Sequence, residues 1–274
     1  MRTSSGVVDS DIPPESVIVH VSGVELLLGW AEHTSTVSNV VIAPVELHRR
    51  NLKLRLTEAN LPLDAFAFTG PSAVASHVLE TASKPTKALD RVDRLALLGD
   101  ILGGENEATE RFRLVLGGEP AQSGAAIEQA RRELEVTTNY HPDRVRAFRQ
   151  AVESAPSPID VDAYDLLDGT LSVERALRRR SKKAPSDGEL VRRATRTITD
   201  TGGAAWNDAY PSVERIALVG LSTVPATLVD LLTAVTSRCG VEAHLFLRRG
   251  TGPFLEQRLT DVWVVPNPGI VVVT

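Results

Sequence analysis

Cysteine, methionine, lysine and aromatic residues are all scarce in this chain of 274 residues, which has one Cys, one Met and 4% aromatic side chains. Cys239 alone excludes an intramolecular disulfide and any cysteine-only zinc site, and it fits a reducing compartment. No apolar run approaches the ~20 residues that a membrane-spanning helix needs. Met1 to Ser16 is polar, with Arg2, Asp9, Asp11 and Glu15, and has no signal-peptide core, so the expected location is cytoplasmic. A net charge of −5 excludes a globally basic nucleic-acid binder and leaves room for a local basic surface. Only five of the 30 basic residues are lysine, a skew that fits a GC-rich or salt-adapted organism and says nothing of function.

The chemistry of nucleotide hydrolysis is missing as well. A phosphate-binding loop needs glycines for close backbone approach, plus a Lys and a Ser/Thr for phosphate and magnesium. The first strand-to-helix turn reads His20-Val21-Ser22-Gly23-Val24-Glu25-Leu26, with one glycine, no lysine and a glutamate where phosphate would sit. The acidic pair that holds magnesium or positions water would fall near Val219 to Ser222, where no carboxylate stands. The six histidines are scattered, and no two have metal-ligand spacing with a carboxylate or cysteine. Asp160, Asp162, Asp165 and Asp168 lack the central glycine and closing glutamate of a calcium loop and read as a solvated helix start. No Glu-X-Lys of a restriction-like nuclease occurs. The expectation is therefore no catalytic residue, no cofactor and no metal.

What the chain does have is strand-helix alternation. Val213 to Val219 is an apolar strand, and Ser222, Thr223 and Pro225 open a helix. Leu228, Leu231, Leu232 and Val235 share one face of that helix, Gly240 ends it, and Val241 to Leu247 is the next strand. Such a unit is a parallel crossover. Upstream, Val17 to Val21, Asn39 to Ala43 and Ala65 to Thr69 are strands, each followed by an amphipathic helix. From Ala88 to about Gly203 only helical spacing is found. It continues through Asp165 to Arg179 and Glu189 to Thr199, with Arg180 to Gly188 expected as an exposed loop. Near the end, a short helix is expected around Phe254 to Leu259, and two apolar pieces follow, Val262 to Val265 and Ile270 to Val273, the second of which reads as a strand or its end. The sequence predicts an α/β fold with a parallel sheet of the P-loop-NTPase-like type, interrupted by an all-helical insertion. Residues 1–87 and 206–274 form the two parts of the α/β domain and residues 88–205 the insertion.

One charged cluster stands out: Arg175, Arg178, Arg179, Arg180, Lys182, Lys183, Arg192, Arg193 and Arg196, opposed nearby only by Asp187 and Glu189. Arginines at this density neutralise phosphates and release counterions, giving salt-dependent binding without sequence readout. A solvated face, or a docking face for an acidic partner, is the alternative.

Val40-Val41-Ile42-Ala43-Pro44 with the Leu47 to Leu56 helix, Phe66-Ala67-Phe68-Thr69 with the Ala73 to Leu79 helix, and Val92 to Leu98 together carry a family likeness. So does the return strand Ile216 to Leu221, with its helix and the strand Ala243 to Leu247. In these the chain resembles the amino-terminal part of the AddB-type helicase-nuclease subunit, whose head is an inactivated relative of UvrD-like helicases. The resemblance covers about Val17 to Leu247. It implies a parallel sheet with a helical subdomain and a non-hydrolysing scaffold that works beside a helicase or nuclease partner in DNA repair or recombination. Two departures stand: no phosphate-binding loop, which some members keep, and no iron-sulfur cysteines. Two other readings remain. One is a small-molecule enzyme using Ser22, Thr69 and Ser222 at strand ends; the other is a purely protein-binding scaffold with Ile270 to Val273 as an edge added to a partner's sheet.

Overall fold

The computed structural model describes residues 17–21, 24–31, 37–104, 120–154, 163–221, 223–247, 250 and 265–272. Five strands make one parallel sheet: β1 (Val17–His20), β2 (Asn39–Ile42), β3 (Phe66–Thr69), β4 (Arg215–Leu221) and β5 (Glu242–Leu247). Their spatial order is β1-β5-β4-β2-β3, and every pairing is parallel. The central strands are buried on both faces, which is why they read as near-continuous apolar runs. Side chains nevertheless alternate between the faces. Val40, Ile42, Ile216, Leu218, Ala243 and Leu245 enter the larger core. Val41, Ala217, Val219 and Phe246 enter the smaller one.

On the smaller-core face lie α1 (Glu25–Ala31) and α2 (Glu46–Glu58), which contribute Leu27, Ala31, Leu52 and Leu56. The opposite face is covered by α3 (Pro71–Thr81), α8 (Asp187–Asp200), α9 (Ala204–Ala209) and α10 (Ala226–Cys239). Helix α10 joins β4 to its neighbour β5, as its spacing predicts, and ends at Gly240 in the left-handed conformation. Helix α9 follows Gly203, beyond the stretch in which helical spacing is found, and places Trp206, the largest fully buried side chain among the described residues, in the main core.

Between β3 and β4 the described elements are all helical: α3, α4 (Arg91–Gly103), α5 (Pro120–Thr138), α6 (Pro142–Ser154), α7 (Ala163–Arg180), α8 and α9. They do not share one core. Leu190, Val191, Ala194 and Ile198 of α8 belong to the sheet's main core. Helices α4, α5 and α7 close a separate cluster around Leu98, Ile101, Ile127 and Leu177, and α5, α6 and α7 close another around Leu134, Val145 and Leu171.

Two local expectations are corrected. The segment 181–186 between α7 and α8 is not a fully exposed loop. Ala184 pairs with Ala88 in a parallel bridge, Leu89 N–H donates to the Ala184 carbonyl at 2.8 Å, and Ala184 and Ser186 are buried. Ile270 to Val272 is not a strand either, because apolar cover is available within the chain. Val271 and Val272 pack on the α5–α6–α7 cluster, and Val272 N–H donates to the Tyr140 carbonyl at 2.9 Å. Phe254 to Leu259 and Val262 to Val264 lie outside the described residues. Among the described residues, no helix is long and apolar enough to cross a membrane.

Candidate functional site

The basic cluster sits on the end of α7, the following turn and α8, and the fold divides it. Arg178 and Arg192 turn inward. Arg178 lies 2.8 Å from Glu174 and 2.7 Å from Glu189. Arg192 pairs with Glu189 and donates to the Gly269 carbonyl at 3.2 Å. Half-buried Arg193 also reaches Glu189, at 2.9 Å. These side chains serve as counter-ions to two buried carboxylates. Arg179, Arg180, Lys182 and Lys183 are exposed and Arg175 is half-buried. Their position at the carboxyl end of α7 also offsets the negative end of its dipole. Exposed Arg196 stands apart on α8, 3.5 Å from Asp200, and Lys183 lies 3.2 Å from Asp93. Surface pairs of this kind are worth at most about 1 kcal/mol and leave both cations available to a polyanion.

The fold adds one cation that the sequence reading missed. The bridge from Ala88 to Ala184, with Ala184 N–H donating to the Lys87 carbonyl at 2.9 Å, brings exposed Lys87 next to Lys183. No periodicity links these segments, so only a tertiary contact could have revealed it.

Beneath the basic face is a buried ionic network tying α4, α5, α7 and α8 together. At its centre Arg131, 1% exposed, meets Glu128 and Glu174 at 2.9 Å each and Glu135 at 4.0 Å. Arg94 joins Glu128 at 2.6 Å and donates to the Leu89 and Pro185 carbonyls. Burial alone would raise Glu128 and Glu189, but the guanidinium groups around each outweigh it and hold both below the usual carboxylate range. At Glu135 burial wins. Arg131 offsets it only in part, and the neighbouring carboxylates of Glu174 and Glu189 push the same way, so its pKa is raised. The Ser186 hydroxyl donates to it at 2.5 Å.

Beside this network, a cleft of about 1030 Å³ opens between the helices and the carboxyl ends of the strands, walled by the first turns of α3, α4, α8 and α10 and by α5. Of the strand-end hydroxyls expected of an enzyme, only that of Thr69 belongs to the described residues. Thr69 donates to the neighbouring Gly70 carbonyl at 3.3 Å and does not line the cleft. Ser22 and Ser222 lie outside the described residues. The crest over β2 and β4 is filled from α2: His48 packs against Gly220, and Arg49 donates to the Ala43 carbonyl at 2.6 Å. Among the described residues, no three His, Cys, Asp or Glu side chains stand where they could hold a metal ion.

Two of the scattered histidines do meet. His20 on β1 and His244 on β5 share a hydrogen bond at 3.0 Å, their rings stacked and flanked by Phe246 and Trp30. Burial lowers both pKa values. Glu242, 3.3 Å from His244, pulls the other way without prevailing, and Arg215, 3.6 Å from Glu242, adds to the lowering at His244. A depressed folded-state value means that this pair's stabilisation is complete above the ordinary 6.5 and is lost as the pH falls. Thermal melts from pH 8 to pH 5 are expected to show the melting temperature dropping below about 6.5, more gently in His244→Phe. Identical slopes in the two proteins would refute this.

The model of a family described as Halobacterial UvrD-like protein matches residues 5–274. No curated protein matches the sequence.

Proposed function

The chain belongs to the halobacterial UvrD-like protein family, and from that membership we propose that it is a non-catalytic, helicase-like scaffold that binds nucleic acid during DNA repair or recombination. In this reading the parallel sheet descends from the P-loop type. Residues 88–205 are its helical insertion, with α8 docked back on the sheet, and hydrolysis is lost with the loop lysine and the acidic pair. The single observation that carries the reading is the segregation of the basic cluster. Arg178 and Arg192 are spent on internal carboxylates, whereas Arg175, Arg179, Arg180, Lys182 and Lys183, joined by Lys87, crowd one end of α7. Cations gathered at one place, all but half-buried Arg175 exposed, suit phosphates and carry no sequence readout.

The triple change Arg179→Glu, Arg180→Glu, Lys182→Glu touches none of the buried pairs. It is expected to leave the melting temperature in place, weaken DNA binding at least ~10-fold and flatten the dependence of log K on log salt by roughly 3. Unchanged affinity and slope would remove the proposed surface. Docking on a helicase or nuclease partner, as the AddB resemblance implies, is the second reading. It is supported by Val45, Leu47 and Leu54, large apolar side chains exposed at and along α2.

A further inference from the structure

We propose that the cleft between the sheet crest and α5 is a binding site for a small organic phosphate, with the phosphoryl group held at the first turn of α10. This goes beyond nucleic-acid binding by the basic face and does not depend on it.

Helix α10, 14 residues long, begins without compensation: Pro225 at its cap gives no side-chain hydrogen bond, and its first turn contains no acidic residue. Leu228 and Val229 N–H groups both return to the Pro225 carbonyl, at 2.9 and 3.2 Å. That leaves the Ala226 and Thr227 amides as donors at the positive end of the helix. The neighbouring α8 differs in each respect, since Ser186 caps it and Asp187 and Glu189 stand in its first turn.

The second observation is Thr227 itself. Its side chain lines the cleft although the residue is only 6% exposed, and among the described residues its hydroxyl has no hydrogen-bond partner. The other threonines of α10, Thr233 and Thr236, bond back to carbonyls one turn earlier, at 2.9 Å each. Thr227 keeps its donor for the cleft. The residue is otherwise buried, its hydroxyl is open to the cleft, and a ligand oxygen would give it a partner.

Helix α5 supplies the cation. Asn139 donates to Asp230 at 2.6 Å and ties α5 to α10. Val136 and Thr227, each one turn earlier on its helix, both line the cleft. Arg132, a further turn back along α5, also lines it, is exposed, and has no ionic partner among the described residues. The acids on the cleft wall are already committed or peripheral. Asp90 caps α4, Glu128 is held by Arg94 and Arg131, Glu135 accepts from Ser186, and Asp187 is exposed at the start of α8. Two amides, a hydroxyl and a guanidinium fork match the three free oxygens of a phosphomonoester better than the two of a backbone phosphodiester. Leu89, Leu95, Val136 and Leu228 give the rest of the ligand an apolar wall, and the volume suits a molecule of drug-like size.

The test is calorimetric titration of the whole protein with inorganic phosphate and with phenyl phosphate, repeated on Thr227→Val and Arg132→Gln. Phenyl phosphate is expected to bind saturably, ~10-fold or more tighter than inorganic phosphate. Each variant should weaken it by about 10-fold. Melting temperatures and DNA affinity of the variants should stay at the wild-type level, which separates this site from the basic face. Absence of saturable binding, wild-type affinity for phenyl phosphate in both variants, or stoichiometric displacement of phenyl phosphate by a DNA oligonucleotide would overturn the assignment.

Discussion

Replacing Glu174 by Ala is expected to cost about 3–5 kcal/mol, the range for removing one partner of a buried ion pair and leaving the other charge uncompensated. Glu174 is fully buried and links Arg131 on α5 to Arg178 on α7, at 2.9 and 2.8 Å. Without it, Arg131 keeps Glu128 at 2.9 Å and the more distant Glu135 at 4.0 Å, and Arg178 keeps Glu189. The melting temperature should fall by roughly 10 °C. Glu135 makes the contrast sharp, because its raised pKa reverses the sign. A carboxyl whose folded-state value is raised contributes stability that is present below its unfolded value and lost as the pH rises through the folded one. Glu135→Gln keeps an acceptor for the Ser186 hydroxyl and removes the charge. It should therefore match the wild type at pH 4 and equal or exceed it at pH 8. Denaturant melts of the two variants at both pH values check the pair. Equal losses for Glu174→Ala and Glu135→Gln would mean that the network is not organised as described.

A second large loss is expected at Gly203, where α8 turns into α9. Its φ of 97° lies in the left-handed region, and a Cβ there would stand 2.5 Å from the backbone carbonyl oxygen of Arg238 at the end of α10. Gly203→Ala therefore combines backbone strain with a clash that no side-chain rotation relieves, for a total of about 3 kcal/mol or more. The adjacent Gly202→Ala is the control. Its φ of 59° carries the same kind of strain, but nothing lies within 4 Å, so it should cost only about 1–2 kcal/mol. Chemical denaturation of both would settle the comparison, and a Gly203→Ala protein as stable as Gly202→Ala would contradict the close packing of α10 on this turn.

The sheet was legible in the sequence because its strands are buried on both faces. Val40-Val41-Ile42 and Ile216-Ala217-Leu218-Val219 are unbroken apolar runs that no solvent-facing element would carry. The spatial order was not legible, because parallel pairing depends on crossovers that leave no trace in any one strand. Helix α9 escaped notice because six residues after two glycines show no helical period, and only burial of Trp206 explains it. The tail Ile270 to Val272 has strand composition, yet finds its cover on Tyr140 and the α5–α6–α7 cluster. The basic cluster was visible as composition, but not which arginines face inward. Arg178 and Arg192 are told from Arg179 and Arg180 by Glu174, one turn before Arg178, and by Glu189, which follows the turn. Lys87 and the cleft were out of reach for the same reason, since each depends on segments distant in sequence coming together.

The central claim is binding to nucleic acid without catalysis, and the most direct measurement is the affinity of the wild-type protein for fluorescent single-stranded and duplex DNA across a salt series, with and without ATP. If the six cations Lys87, Arg175, Arg179, Arg180, Lys182 and Lys183 each meet a phosphate, log K for duplex should fall with log salt at a slope of about −5. ATP should change neither slope nor affinity. Absence of binding at about 50 mM salt, or an affinity that ATP shifts tenfold, would contradict the account.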